Sequence, residues 1–251
     1  DNHVKGQNAH GGAILNINGN KGDATIESIE GNFIGNTASS GINKAQGGAI
    51  ANYGKIGDIK GYFSENEVVA GIHGDGGAIY NYKNCSIGNI TGNFINNVAR
   101  SRDNAGHGEG AGVYNWAGKI GDIKGNFINN YVTGKKAYGA AIFNMDDVAT
   151  GEKGEIADIS GNFINNRSEA VIDVAQGGAI YNDSKVGNIS GSFVNNYAKS
   201  EAGTAHGGAI FTKTDMNFVA DGSVNVFKGK YTEANGVKDD NAIWVEKAND
   251  N

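Results

Sequence analysis

Proline is absent from all 251 residues, cysteine occurs once, at Cys85, and arginine three times, at Arg100, Arg102 and Arg167. An average chain of this length would hold about 12 prolines. Their complete loss suits a backbone in which nearly every N–H donates a hydrogen bond. One thiol rules out an intramolecular disulfide framework and a multi-cysteine zinc site. Cys85 lies in the short connector Tyr82 to Ser86, with no His or Cys near it in sequence, and is expected to be a buried, inert thiol. The balance of 21 basic and 27 acidic residues, a net charge of −6, lacks the clustered Lys/Arg footprint of nucleic-acid binding. No apolar run approaches the ~18 residues of a membrane span, and Asp1-Asn2-His3 does not open a signal peptide. A soluble mature protein, or a segment of a longer precursor, is therefore expected. The G-x-S-x-G, H-E-x-x-H, Walker and dinucleotide signatures are also missing, and no enzymatic activity is expected.

Glycine is abundant, 41 residues where about 18 would be usual, yet no G-X-Y period signals collagen. Many of these glycines belong to a repeated tetrapeptide. Gly11-Gly12-Ala13-Ile14 recurs from Gly47, Gly76, Gly177 and Gly207, with degenerate copies from Gly110, Gly139 and Asp240. The starts are 36, 29, 34, 29, 38, 30 and 33 residues apart, a period typical of stacked repeats. Between them stands a module of invariant length, I/V-x-x-I-x-G-x-F-x-x-N, at Ile26, Ile56, Ile87, Ile120, Ile156 and Val186. The connectors vary, so the modules read as scaffold and the connectors as surface loops.

Short alternating segments bounded by Gly and Asn read as strands. A repeat of about three short strands cannot close its own sheet and must pair with the repeats above and below. The expected fold is all-β, a right-handed parallel β-helix of about seven coils. Residues 1–215 form the repeat array, and residues 216–251 a divergent C-terminal coil continuing it. Stacking turns each repeat position into a column. Phe33, Phe63, Phe94, Phe127, Phe163 and Phe193 are expected to stack inward. Two asparagine columns are expected to form stabilising ladders: Asn36, Asn66, Asn97, Asn130, Asn166 and Asn196, and Asn16, Asn52, Asn81, Asn115, Asn144 and Asn182.

The alternation of Gly-Gly-Ala-Ile with Phe-x-x-Asn, as in Gly76 to Ile79 and Phe94 to Asn97, resembles the repeat pair of chlamydial polymorphic membrane proteins and related autotransporter passengers. The closing stretch, with Ala220-Asp221-Gly222 and Asn241 to Val245, is similar to the end of such passengers. The resemblance implies a right-handed β-helix at or beyond a Gram-negative cell surface, commonly an adhesin. The chain departs from that pattern in lacking a membrane barrel and in lengthening the fixed module.

Five features remain as candidates for chemistry. His10, His73, His107 and His206 each fall just before a Gly-Gly-type turn, so they should share one edge of the solenoid, as solvated loop residues, with a pH-sensitive or metal-binding edge as the alternative; His3 stands apart. Asp146-Asp147, in the longest connector after the tetrapeptide, and Asp239-Asp240 are the paired carboxylates an enzyme reading would need. The column Ser28, Asp58, Asn89, Asp122, Asp158 and Asn188 is expected to be a solvated face, with Ca2+ as the alternative ligand for its oxygens; no other cofactor is expected. Finally, the residue after each tetrapeptide Ile or Val should point away from the core. Tyr80, Tyr114, Phe143, Tyr181 and Phe211, with Leu15 and Ala51, would then form an outward stripe, either an exposed binding surface or one covered by a variable loop.

The expected function is that of an extracellular, non-enzymatic, adhesin-like rod whose loops contact a host or bacterial surface protein or a glycan. The alternative is a structural subunit, associating end to end or laterally, of an extracellular filament or matrix fibre.

Overall fold

A computed structural model describes residues 1–19, 24–102, 106–220, 226–229 and 231–246. Asp221 and Gly222, quoted above for the C-terminal resemblance, lie outside the described residues. The chain is all-β and winds about seven times around one axis as a parallel β-solenoid.

Each turn contributes to four sheets, one more than the three strands expected. In the third turn, Lys55–Ser64 leads to Glu67–Ala70, then His73–Asp75, then Ile79–Asn81. We number the sheets in that order of travel, beginning after the module. Sheet 1 holds Glu67–Ala70 and its copies, sheet 2 His73–Asp75, sheet 3 Ile79–Asn81 and sheet 4 the phenylalanine module. Neighbouring turns pair in parallel and in register, as in Phe94↔Phe127↔Phe163. The strands of sheets 1 and 2, which match neither sequence module, are only two to four residues long and lie inside the variable connectors. The C-terminal segment continues the stack through Asn217–Phe218, Val226–Lys228, Tyr231–Ala234 and Ile243–Val245, with one strand departing from it. Val237–Asp239 folds back antiparallel on Tyr231–Ala234 and covers the edge of sheet 1.

The cross-section has two lobes. Ile, Val and Phe of sheets 3 and 4 fill a wide one. Sheets 1 and 2 enclose a narrow one of Ala and Val, including Ala38, Val68, Ala99, Val132 and Ala137. The phenylalanine column runs up the wide lobe with ring centroids 4.6–5.0 Å apart and planes within 5° of parallel. Phe227 adds a seventh ring that the divergent C-terminal sequence hid.

Both asparagine ladders are present. Asn66 Nδ2 donates to Asn97 Oδ1 of the next turn at 3.0 Å and to the Phe33 carbonyl of the turn before at 2.9 Å, while its Oδ1 accepts from the N–H and Nδ2 of Asn36. Every donor and acceptor of a fully buried amide is thereby used, which removes the cost of burying it. Asn2 extends this ladder at one end, and Thr212 and Thr214 close the other ladder above Asn182. In the ladder that contains Asn66, the residue before each amide takes the corner conformation, as at Asn96, φ 57°, and Asn129, φ 56°.

The glycines divide by cause. The first of each Gly-Gly pair has positive φ, 68° at Gly76, and turns the chain from sheet 2 into sheet 3. Those two residues before each phenylalanine form a column of close contacts instead: a Cβ on Gly92 would sit 2.2 Å from the Gly61 carbonyl oxygen, whereas one on Gly31, at the start of the column, meets nothing within 4 Å.

Gly92→Ala should therefore lower stability by about 1–3 kcal/mol through overpacking, with Gly31→Ala within about 0.5 kcal/mol of wild type; urea denaturation of the pair measures the difference. Asn97→Ala, which strands four hydrogen-bonding groups, should cost more than about 2 kcal/mol. Asn162→Ala, in an exposed ladder with Asn126, should be nearly silent in the same assay.

Candidate functional site

Sheets 2 and 3 meet at the Gly-Gly turn, and their outer faces form a re-entrant corner along the solenoid. On sheet 3 the Ile of each strand points into the wide lobe, so the next residue faces the corner. Tyr80, Tyr114, Phe143, Tyr181 and Phe211 form a stack there, with centroids 4.7–5.1 Å apart. They are not exposed. The most accessible, Tyr181, retains 7% of its surface. Of the two alternatives, the exposed stripe is not what is found: the rings form a third hydrophobic cluster, outside the two lobes of the solenoid. Its cover comes mainly from strand residues, not from a variable loop: Tyr53, Trp116 and Met145 from the same sheet, Tyr82 just beyond it and Tyr138 from sheet 2. Parity gave the side on which the rings lie, but the concavity of that side depends on the angle between two sheets.

Sheet 2 supplies the polar wall. Immediately before the Gly-Gly turns stand His10, Gln46, Asp75, Glu109, Tyr138, Gln176 and His206; two residues earlier stand Lys44, His73, His107 and Lys136. The histidines share an edge as expected, but they occupy strands and are half-buried instead of lying in solvated loops. A hydrogen-bonded chain runs through the wall. Tyr53 Oη donates to Gln46 Oε1 at 2.5 Å and lies 2.8 Å from His10 Nδ1, and Gln46 Nε2 donates to Asp75 Oδ2 at 2.9 Å. One coil on, His107 Nδ1 is 3.1 Å from Glu109 Oε1. Asp75 is 3% exposed, and its Oδ1 has no hydrogen-bond partner. Burial, and then the Glu109 carboxylate alongside, push the Asp75 carboxyl well above the usual range. Burial also lowers the pKa of His73.

Between the walls lies a cleft of about 490 Å³. One rim is the connector 146–154. Asp147 reaches from the fifth turn to Lys83 of the third, 3.1 Å away, and Asp146 pairs with Lys153 at 2.6 Å. The Lys83 hydrogen bond holds Asp147 below the usual carboxylate range. Burial opposes ionisation of Asp146, but hydrogen bonds from Lys153, Ser184 and the Gly154 N–H outweigh it and lower its pKa. Both carboxylates thus tie the loop down, through Lys83 and Lys153. Asp239 is exposed on the antiparallel strand, remote in sequence and sheet from the cleft lining.

Cys85 is buried, its thiol 3.4 Å from the Lys83 carbonyl oxygen. The column Asp58, Asn89, Asp122, Asp158 and Asn188 is exposed or nearly so, and its side chains accept main-chain N–H groups of the next turn, as Asp58 does from Asn89 at 2.7 Å and Asp158 from Asn188 at 2.7 Å. These oxygens link successive turns in single file, an arrangement unlike the six to eight converging oxygens of a Ca2+ shell. Among the described residues, one group of His, Cys, Asp or Glu side chains does converge, and it is elsewhere: His73, His107 and Glu109, in the cleft.

The residues that build the cleft wall, Gln46, Asp75, Glu109 and Tyr138, were missed by the sequence reading. Counting backwards from each Gly-Gly pair displays them, because a small residue always precedes the polar one: Ala45-Gln46, Gly74-Asp75, Gly108-Glu109, Ala137-Tyr138. No family model, curated protein or solved structure matches this chain.

Phe143→Ala should destabilise the protein by about 3–5 kcal/mol, as a buried core ring would. Val148→Ala, at the exposed tip of the rim loop, should change stability by less than about 0.5 kcal/mol. Equal effects in chemical denaturation would mean that the outer cluster is not packed as described.

Proposed function

We propose that the protein is a non-enzymatic, glycan-binding β-solenoid that works outside the cell and holds an extended saccharide in the cleft between sheets 2 and 3. The observation that carries this reading is the lining of the cleft. Partly exposed rings of Trp116 and Tyr138 stand beside charged groups of Lys44, Asp183 and Lys213 on a wall that continues from turn to turn. Aromatic faces cover the apolar faces of sugar rings, while flanking polar groups orient hydroxyls; a cleft with a few such groups on a rigid scaffold is the usual form of a small-ligand site. Trp116 is held by an edge contact with Tyr82 and by Lys44 and Lys83 over its ring, so it is preorganised. The resemblance of the repeats to autotransporter passengers supports display on a Gram-negative surface and an adhesin-like role.

The alternative is a structural subunit that associates end to end or laterally in an extracellular filament or matrix fibre. The antiparallel strand Val237–Asp239 counts against it, because it interrupts the parallel register that a second copy would continue.

On a glycan array, the wild-type chain should retain a defined set of saccharides, and Trp116→Ala and Tyr138→Ala should weaken that retention more than tenfold with the β-rich circular dichroism spectrum intact. Retention unchanged in both variants would refute cleft binding. Shortened saccharide products would replace a binding protein with an enzyme.

A further inference from the structure

Two adjacent strands of sheet 2, His73–Asp75 and His107–Glu109, pair in register as His73↔His107, Gly74↔Gly108 and Asp75↔Glu109. The central glycines face the narrow lobe, where a Cβ would lie 2.6 Å from the Arg100 carbonyl oxygen at Gly74 and 2.5 Å from those of Ala99 and Thr133 at Gly108. The two flanking residues of each strand therefore project together into the cleft as a two-by-two array. One ligand atom each of His73, His107 and Glu109 already lie within 4.8 Å of one another. The imidazoles stand edge to face with centroids 4.7 Å apart, and His107 Nδ1 is 3.1 Å from Glu109 Oε1.

The fourth corner is an independent sign of a missing positive charge. Asp75 is buried, its Oδ2 takes a hydrogen bond from Gln46, and its Oδ1 has none. A second buried carboxylate, Glu109, stands in register beside it. Two such groups on neighbouring turns repel each other, and an unpaired buried carboxylate oxygen forfeits its hydration without compensation. The Lys44 ammonium stands over the Trp116 ring, 5.5 Å from its centroid.

We propose that His73, His107 and Glu109 bind a divalent transition-metal cation of the Zn2+ class, with the Asp75 carboxylate beside them as a neighbouring negative charge. Two imidazoles and a carboxylate form a borderline donor set, which suits zinc and its neighbours, whereas Ca2+ and Mg2+ take shells of oxygen. Zinc–ligand bonds of about 2.0–2.2 Å need the three donor atoms to close by roughly an ångström, a movement within reach of side-chain rotation. Three protein donors leave a coordination position for water or for a hydroxyl of whatever occupies the cleft. The site does not depend on the cleft's occupant being a glycan.

The test uses the full chain stripped with a chelator and titrated calorimetrically with ZnCl2 and, separately, CaCl2. Wild type should take up one equivalent of zinc and no calcium. His3→Ala, outside the array, should leave the zinc isotherm unchanged, Asp75→Asn should weaken binding about tenfold, and the size-preserving double variant His73→Gln/His107→Gln should abolish it. Absence of zinc uptake by wild type, or uptake undiminished in a folded double variant, overturns the site. Should the double variant fail to fold, Co2+ added to wild type decides: a strong visible d–d band of tetrahedral cobalt upholds the site, and its absence rejects it.

Discussion

Stacking at about 4.8 Å per turn forces each side chain to meet its counterpart directly above and below, so a position can repeat only if its residue tolerates contact with itself. Phenylalanine meets this condition by parallel stacking, asparagine by donating an amide hydrogen to the next amide's oxygen, and glycine by leaving room for a carbonyl. Like charge meets it poorly, and opposite charges adjoin at places on the exposed face: Glu155 stands between Lys119 and Lys185, and Lys60 beside Glu30. Absence of proline follows from the same rule, since a ring in place of an N–H would break the ladder in two turns at once.

Against that constraint the pair Asp75 and Glu109 is an exception. Two acids occupy one column on neighbouring turns, flanked by neutral Gln46 and Tyr138, inside the one concave surface where sheets 2 and 3 meet. Repeat architecture makes such departures easy to see. Where columns such as the phenylalanines and the ladder amides are self-compatible, a locally unfavourable choice points to a requirement other than folding.

How far the residues alone reveal this molecule depends on period and parity. The β-solenoid, the phenylalanine stack and both amide ladders were legible, because Phe94 to Asn97 and its copies keep one length. Sheets 1 and 2 were not, because strands such as Ala45–Gln46 are too short to show alternation and sit in segments of unequal length. The outward side of Tyr114 and Phe143 followed from the alternation of strand residues; their burial did not, because it depends on Trp116 and Tyr138 closing over them across a bend between sheets. Asp146 and Asp147 drew attention as adjacent acids, yet their partners Lys153 and Lys83 were apparent only in three dimensions.

A stack in which each turn touches only the next behaves like a coil of rope, open to unwinding one loop at a time from either end. The rim connector changes this locally. By carrying Asp147 across the fourth turn to Lys83 in the third, with Glu152 beside the same ammonium, it ties turns three and five together. Tension applied along the rod would peel the outer turns singly and then meet a three-turn block that has to yield as one. The wall of the cleft, from Asp75 to Tyr138, lies within that block, so the part of the rod that would grip a ligand is also the part last to unspool under load.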